Sequence, residues 1–504
     1  MDADKAEALG RRLWEQIERR RFSSGHSWQH PRGIRGCLDY YRGNHKLRFA
    51  SGEFDKHFQD RFAGFSDNWC APVIDAKAER LNWMGMRLGE GTREADQDFL
   101  RVMEANDVPS GMSEAFTVAL ATGRAFALVW GNNDEPDTPI VTFEHPEFCI
   151  VATDPATRRT TAAAKGWVED DTGFLTLYTP DEVWKWRWSV SDVDKNDPRK
   201  QPEWRARPDG DVWPIPNPLG RVPMVEFRNQ TLLDDMPLSD LAGVAAMQDA
   251  INLAWAYLFN GLDYASLPQR LMTGAEPPSI PVLDADGKVV GKKAVDLKLY
   301  IEKRVIWVPD KDAKPSSWPA ADLKVFGDVI ELAVDHVASQ TRTPPHYLMG
   351  KMSNTAAESL TVAETGLVAS VLQRQQYFTK PVREIHELVA LAQGDKAKAK
   401  AARTGKIVWK NPQYRAISQM SDGFAKYRAG GLPLEHMLEW LDYDPAEVAR
   451  VMAMAKSESD LLIGQSPIKA VPGKIIGGRT ADVAVTSNAA SAAIESAPSG
   501  NQAA

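Results

Sequence analysis

The stretch SDLAGVAAMQDAINLAWAYLFNGLDYAS, residues 239–266, decides which fold we predict for this chain. Its apolar residues recur with helical spacing, at positions 241, 244, 247, 251, 254, 255, 258 and 262. Ser239 and Asp240 are typical helix starters and Pro268 cannot continue a helix, so we predict one helix of about 27 residues. An apolar stripe on a helix of this length needs neighbouring elements that bury it.

A second helix is predicted further along the chain, from about Asp322 to Gln340, because its apolar residues follow the same spacing. Between the two helices, residues 269–318 show short strand patterns around Asp286-Gly287, a dipeptide that is typical of hairpin turns. The sequence therefore predicts two helices that bracket a small hairpin-rich module.

The region before the first helix is predicted to be mixed. An amphipathic helix opens it within residues 1–30, and another helix is expected from about Ser110 to Thr122. Strand patterns then dominate from the string RAFALVW to about residue 230. One of these strands carries three alternating tryptophans, for which we predict burial: Trp184, Trp186 and Trp188.

The region after the second helix begins with TRTPPHYLMGKMSN, residues 341–354, which has two prolines and no periodicity. A capping box at residues 355–358 then opens a long helix, in which Pro381 is expected to produce a kink. The basic run KAKAKAARTGK, residues 396–406, is interpreted as a solvated linker, and further helices follow to about Lys456. The Ala- and Ser-rich segment 484–504 is predicted to be disordered.

Composition excludes several classes of protein. The 504 residues include 60 basic and 68 acidic ones, so the net charge of −8 argues against a protein that binds phosphate over its whole surface. No apolar run is long enough to cross a bilayer, and the first residues lack the pattern of a secretory signal, so we expect a cytoplasmic location. The widely spaced Cys37, Cys70 and Cys149 indicate small buried residues, without a disulfide framework or a zinc site.

Motifs for catalysis are weak. No phosphate-binding loop is present, and His26 and His30 lack the glutamate of a zinc-protease helix, so a polar loop is predicted there. His386 begins a similar string without its second histidine and is interpreted as a surface or interface residue. We predict no catalytic residue, no metal and no cofactor. One alternative is a metal-dependent nuclease or hydrolase that uses Asp75 and Glu79, which are spaced i, i+4.

Six strings carry a resemblance to a known family. They are YYRG (40–43), NWCAPVIDAKAERLNWMG (68–85), ATGRAFALVW (121–130), PMVEFRNQ (223–230), LPQRLMTG (267–274) and IVWKNPQYR (407–415). In their order and spacing, over roughly residues 35–455, the chain resembles the portal proteins of tailed bacteriophages, specifically the siphophage group with Tyr-Tyr-x-Gly near the N-terminus.

The resemblance implies an α+β, multidomain portal fold with a mixed α/β wing, a two-helix stem, a small hairpin-rich clip, a long kinked helix after a tunnel loop, a helical crown and a disordered C-terminal tail. The implied boundaries are 1–234 for the wing with its N-terminal helix, 235–267 and 319–342 for the stem helices, 268–318 for the clip, 343–354 for the tunnel loop, 355–393 for the long kinked helix, 394–466 for the crown region and 467–504 for the tail.

The resemblance also implies a function. The chain would form a dodecameric ring at one capsid vertex, as a non-enzymatic channel for packaging and ejection of double-stranded DNA. The implied partners are DNA without sequence specificity, the terminase large subunit, the head-tail adaptor, and the major capsid and scaffolding proteins. Assembly would occur in the host cytoplasm and the final location would be the virion.

Two groups of site residues follow from the same resemblance. The tunnel-loop residues expected at the DNA channel are Pro345, His346, Tyr347, Met349, Lys351, Ser353 and Asn354. The clip residues expected to bind partners are Lys288, Lys292 and Lys293. Besides the nuclease, a head-tail adaptor ring without a packaging role remains an alternative, although such proteins are usually much shorter.

Overall fold

In a computed structural model of the chain, the apolar periodicities of the sequence become helices and strands. The structure describes residues 1–23, 31–62, 64–89, 95–191, 202–208, 212–233, 236–266, 270–274, 279–283, 287–294, 305–308, 310, 312, 322–350, 362–413, 417–441, 443 and 445–464. Two units are distinguished, Met1–Met452 and Ala453–Ala504, and the described part of the second is the end of one helix.

The helices are α1 (Ala3–Phe22), α2 (Gly33–Arg42), α3 (Gly52–Arg61), α4 (Cys70–Ala78), α5 (Gln97–Ala105), α6 (Val108–Thr122), α7 (Ala245–Ser266), α8 (Lys324–Thr341), α9 (Pro345–Met349), α10 (Thr365–Ala392), α11 (Lys396–Ala402), α12 (Ile417–Ala429), α13 (Leu434–Trp440) and α14 (Pro445–Gly464).

The strands are β1 (Trp83–Arg87), β2 (Arg124–Trp130), β3 (Ile140–Glu144), β4 (Cys149–Thr153), β5 (Thr160–Glu169), β6 (Thr172–Tyr178), β7 (Glu182–Ser189), β8 (Arg205–Ala206), β9 (Ile215–Pro216), β10 (Met224–Arg228), β11 (Arg270–Thr273), β12 (Ser279–Leu283), β13 (Val289–Ala294), β14 (Val305–Val308) and β15 (Lys406–Trp409).

A six-stranded sheet and the N-terminal helix form one core. The order of its strands is β4-β5-β6-β7-β8, and β9 pairs with β7. Helix α1 lies across it because Leu13 and Ile17, spaced i, i+4, fall on one helical face and are both buried. Gly10 permits close contact, since a Cβ there would lie 3.2 Å from the Trp204 ring and 3.3 Å from the Trp186 ring.

A larger core surrounds helices α6 and α10. Strands β10, β2 and β3 form an antiparallel sheet, and β1 pairs with β15. The Phe116 ring of α6 stacks on the Phe378 ring of α10 with centroids 5.1 Å apart, and Phe227 of β10 meets both rings edge-on. Rings packed in this way contribute beyond their buried area. Sequence segments more than 250 residues apart thus share one apolar centre.

Helices α7 and α8 pack against each other. Between them, β12 and β13 form an antiparallel hairpin, while β11 and β14 pair in parallel. This confirms the predicted hairpin between two helices. Helix α7 begins at Ala245, later than the predicted start at Ser239 and Asp240, because both side chains are already engaged elsewhere: Ser239 Oγ donates to the Ala121 carbonyl and Asp240 binds Lys77.

Several further predictions are confirmed. The second bracketing helix, the helix that ends at Thr122 and the strand RAFALVW all form as expected. Trp184, Trp186 and Trp188 are 2%, 2% and 5% exposed, and the three cysteines are buried free thiols. Helix α10 is continuous at Pro381, and the kink expected there stays a prediction. The predicted capping box at 355–358 and the Ala- and Ser-rich tail lie outside the described residues.

Two predictions were wrong. Part of the basic run predicted to be a linker is helix α11, because Asp395 caps its N-terminus and Ala399 and Ala402 are buried. Lys398 Nζ lies 2.6 Å from Asp98 and 2.9 Å from Asp96. His386, predicted at the surface, is 0% exposed. It lies on the buried stripe of α10, where its Nδ1 bonds the Val382 carbonyl at 2.7 Å.

Candidate functional site

The segment that follows α8 contains the site residues predicted for a tunnel loop. Pro345, His346, Tyr347 and Met349 belong to the short helix α9, whereas Lys351, Ser353 and Asn354 lie outside the described residues. Helix α9 packs against α8 and α4, and its Leu348 is buried. The first half of the predicted loop is therefore held against the protein.

The local sequence explains where α8 stops and α9 starts. Arg342 adopts a left-handed backbone with φ of 58°, and the Thr343 amide donates back to the Ala338 carbonyl at 3.0 Å, which closes the C-terminus of α8. Pro344 cannot extend that helix, since it has no amide hydrogen, and Pro345 suits the first position of the next one.

Arg80, just after α4, is the centre of the contacts to this segment. It is 2% exposed, and its Nη2 donates to the Tyr347 hydroxyl. The same guanidinium lies 3.3 Å from the carboxylate of Glu364, the residue before α10, and donates to the Pro412 carbonyl at 3.0 Å. His346 Nε2 lies 3.8 Å from Glu364. One guanidinium thus joins residues from both sides of the segment 348–363.

The partners of the buried Arg80 determine in which direction its pKa is shifted. Burial alone would lower the pKa of Arg80, but the hydrogen bond from Arg80 to Tyr347 and the charge of Glu364 reverse this and raise it. Burial raises the pKa of the Tyr347 phenol, so this hydroxyl stays protonated at neutral pH and accepts from Arg80.

A second buried ion cluster lies one helical turn earlier on α4. Lys77 Nζ is 2.7 Å from Asp240, which also accepts from Arg374 of α10 at 2.9 Å and from Asn229 at 2.7 Å. Burial alone would raise the pKa of Asp240, but the two cations hold that pKa well below its usual range. The ionised carboxylate therefore connects the segment just before α7 with helices α4 and α10.

The Tyr-Tyr-x-Gly string contacts the same elements. The Tyr40 hydroxyl donates to Asp249 of α7 at 2.5 Å, and the Tyr41 hydroxyl donates to Asp75 of α4 at 2.9 Å. Gly43 ends α2 with φ of 81°, a conformation that favours glycine. The string therefore fixes α7 and α4 relative to α2.

The three clip lysines do not share one face of the hairpin. Lys292 pairs with Pro281 and Lys293 pairs with Ile280, so as successive strand residues they point to opposite faces. Lys288 lies in the connecting turn. The hairpin also exposes apolar side chains, namely Ile280, Val282, Leu283, Val289 and Val290.

One of the two carboxylates of the nuclease alternative already has a partner. Asp75 accepts from Tyr41, and Glu79 lies at the C-terminus of α4. Lys77 and Arg80, their neighbours along the chain, bind Asp240 and Glu364. Within the described ranges no group of three or more His, Cys, Asp or Glu side chains could hold a metal ion, and none of the described helices is long and apolar enough to span a membrane.

Sequence reasoning missed the ion clusters on α4. Their signal was present in CAPVIDAKAER, because Lys77 and Arg80 are spaced i, i+3 in a string whose other residues are mostly apolar. A cation on the buried side of a helix requires a partner. The identity of the partners, Asp240 and Glu364, could not be read from the sequence because they lie far away along the chain.

Comparison with protein families gives one match over most of the chain. The family described as phage portal protein, SPP1 Gp6-like, matches residues 24–460. Two curated relatives are the portal proteins of Mycobacterium phage D29, 25% identical over 407 residues, and of Mycobacterium phage L5, 24% identical over 407 residues. Each alignment covers 78% of this chain and 79% of the relative.

Similar solved structures come from gene transfer agent particles. The neck of the native particle, computed with C12 symmetry, is 14% identical, with a TM-score of 0.39 over 78% of this chain and 94% of the other. The neck of the empty particle, computed with C6 symmetry, is 13% identical, with a TM-score of 0.40 over the same shares. These similarities are too distant to support a conclusion.

Proposed function

The chain belongs to the phage portal protein family, SPP1 Gp6-like, and on that premise we propose that twelve copies form a ring at one capsid vertex. The ring is the channel through which double-stranded DNA is packaged and ejected. The observation that carries this proposal is the family match over residues 24–460, which includes both bracketing helices and the hairpin module. In this assignment α7 and α8 are the stem and the module between them is the clip.

The surface of the stem supports assembly with further copies. Helices α7 and α8 enclose an apolar groove of about 200 Å³, lined by Met247, Ile251 and Ala254 on one side and by Val329 and Leu332 on the other. Val329 and Leu332 are 49% and 56% exposed in the single chain. Neighbouring subunits of a ring would cover these side chains and remove their apolar surface from water.

The segment from Pro345 to Asn354 is proposed to face the channel. The name channel loop is used from here on for residues 348–363, the stretch between Tyr347 and Glu364, which contains the rest of this segment. Lys351 is the strong base of this segment, and twelve copies would place a ring of lysines around the DNA. Contacts of that kind go to phosphates and carry no sequence information. The net charge of −8 per chain limits non-specific attraction, as a conduit requires, since DNA that bound tightly would not move.

The exposed hairpin β12–β13 is proposed as the docking surface for the terminase large subunit and later for the head-tail adaptor. It presents Lys288, Lys292 and Lys293 beside exposed apolar residues, a mixture suited to an acidic partner surface with apolar patches. Because lysines point to both faces of the hairpin, both faces take part. The major capsid and scaffolding proteins would contact the wing. The energy of packaging would come from the separate terminase.

Electron microscopy with native mass spectrometry tests the assembly. Twelve subunits of 55.8 kDa give a particle of about 670 kDa with a central hole. Rings of that mass support the proposal. A protein that stays monomeric at high concentration and also in the presence of scaffolding and capsid proteins would refute it.

A further inference from the structure

We infer that Arg80 is a positioning residue that anchors the chain on both sides of the channel loop to the wing. The inference rests on the proposed function for what the loop contacts, but the anchoring itself is a property of the single chain. Three segments that are distant in sequence meet at this side chain: the string 68–85, which contains Arg80, helix α9 with Tyr347, and the string 407–415 with Pro412.

The contacts bracket the loop on its two sides. Tyr347 lies before it and Glu364 lies after it, and both bind Arg80, so the two residues that flank the loop are held at the same guanidinium. Fixing both ends of a segment at one point removes much of its conformational freedom without any contact along its length.

The chemistry of the anchor requires arginine. A guanidinium is planar and carries five N–H donors, so one side chain can serve a hydroxyl, a carboxylate and a carbonyl at once. Arg80 does this while 2% exposed, where water cannot replace a missing partner. Lysine would keep the charge but is a point donor on a flexible stem, and we expect it to hold one end of the loop and release the other.

The position of Arg80 on the chain adds a second consequence. It follows α4, and three residues earlier Lys77 binds Asp240 at the approach to α7. The segment just before the first stem helix and the two ends of the channel loop are thus bound by Lys77 and Arg80, two cations three residues apart on the chain.

Hydrogen–deuterium exchange on the assembled full-length protein tests the anchor. The readout is the amides of residues 346–350 and 364–368, which lie at the two ends of the loop. We expect Arg80→Gln to raise their exchange at least tenfold. Tyr347→Phe should raise exchange severalfold at 346–350, and Glu364→Gln should do so at 364–368, because each removes one partner. Arg80→Lys should release one of the two ends.

Two controls separate anchoring from general loss of stability. Arg450→Gln removes an exposed arginine of an i, i+3 pair and should change neither set of amides. Lys77→Gln should increase exchange at the start of α7 and leave 346–350 protected. If Arg80→Gln does not fold, the Tyr347→Phe and Glu364→Gln variants still test whether Arg80 anchors the loop. Unchanged exchange at both ends in those two variants, or an equal rise over the whole chain, would overturn the inference.

The amount of DNA in assembled particles gives an independent readout. Released loop ends together with reduced packaging or retention support both the anchor and the channel function. Released ends with normal DNA content would refute the channel role of the loop and leave the anchor in place. Protected ends in all variants would refute the anchor, whatever the DNA content.

Discussion

His386 should make the stability of the protein depend on pH. The imidazole is fully buried in α10, with the Phe99 and Trp83 rings at centroid distances of 4.7 and 5.4 Å. Burial lowers the pKa of His386 from 6.5 to about 4, with opposing contributions from the Val382 carbonyl and the charge of Asp96 and a further lowering by Lys398. The folded protein therefore holds this imidazole neutral where the unfolded chain would protonate it.

The sign and the size of the effect follow from this difference in pKa. Below the unfolded pKa of 6.5 the unfolded chain binds a proton that the folded protein does not, so the free energy of unfolding falls as the pH falls. The loss is complete only below the folded pKa and amounts to about 3 kcal/mol in total. Between about pH 7 and pH 5 it amounts to about 2 kcal/mol.

The measurement compares wild type with His386→Leu by denaturant unfolding at both pH values, with tryptophan fluorescence as the signal. The variant should lose about 2 kcal/mol less than the wild type on acidification, because leucine cannot bind a proton. His436→Leu, which removes an exposed histidine, is the control and should behave as the wild type. An identical loss in wild type and His386→Leu would refute the reasoning.

Three further predictions concern the ion cluster, the stem and the loop. Asp240→Ala leaves two cations buried without their carboxylate and should cost about 3–5 kcal/mol in denaturant unfolding; a cost below about 1 kcal/mol would contradict the buried cluster. Leu332→Asp places a charge in the apolar groove and should prevent ring assembly in native mass spectrometry, with unchanged circular dichroism; intact rings would exclude this groove from the interface. Lys351→Ala should leave rings intact and reduce packaged or retained DNA, whereas Lys406→Ala, an exposed lysine of β15, should not; loss of the ring in the Lys351 variant would argue against the channel-loop assignment.

Local patterns predicted most of the elements. Apolar spacing identified α7 and α8, alternation identified the buried face of β7, and Asp286-Gly287 identified the hairpin between the helices. These signals depend on neighbouring residues along the chain, and burial of one face is enough to make them visible.

Long-range pairing could not be predicted in the same way. The burial of His386 and the ion pairs of Lys398 involve partners about 290 to 300 residues away, such as Phe99 and Asp98. The site shows the same limit: Tyr347 and His346 were expected at the loop from the resemblance, but Arg80, which binds Tyr347, and Glu364, which lies beside His346, were not. A buried cation indicates that a partner exists, and only the fold identifies it.

The parallel pair β11–β14 has a consequence for how the protein could be re-engineered. Arg270 is opposite Val305 in this parallel pair. The chain therefore leaves β11 at Thr273 and enters β14 at Val305, and these two residues are about 11 Å apart. The segment between Thr273 and Val305 is therefore an insertion whose two ends are joined to neighbouring strands. Such insertions can be exchanged between proteins where few contacts cross the boundary. Exchanging this hairpin between relatives would therefore test the docking role proposed above, because the exchange should change which partner binds and leave the ring assembly unchanged.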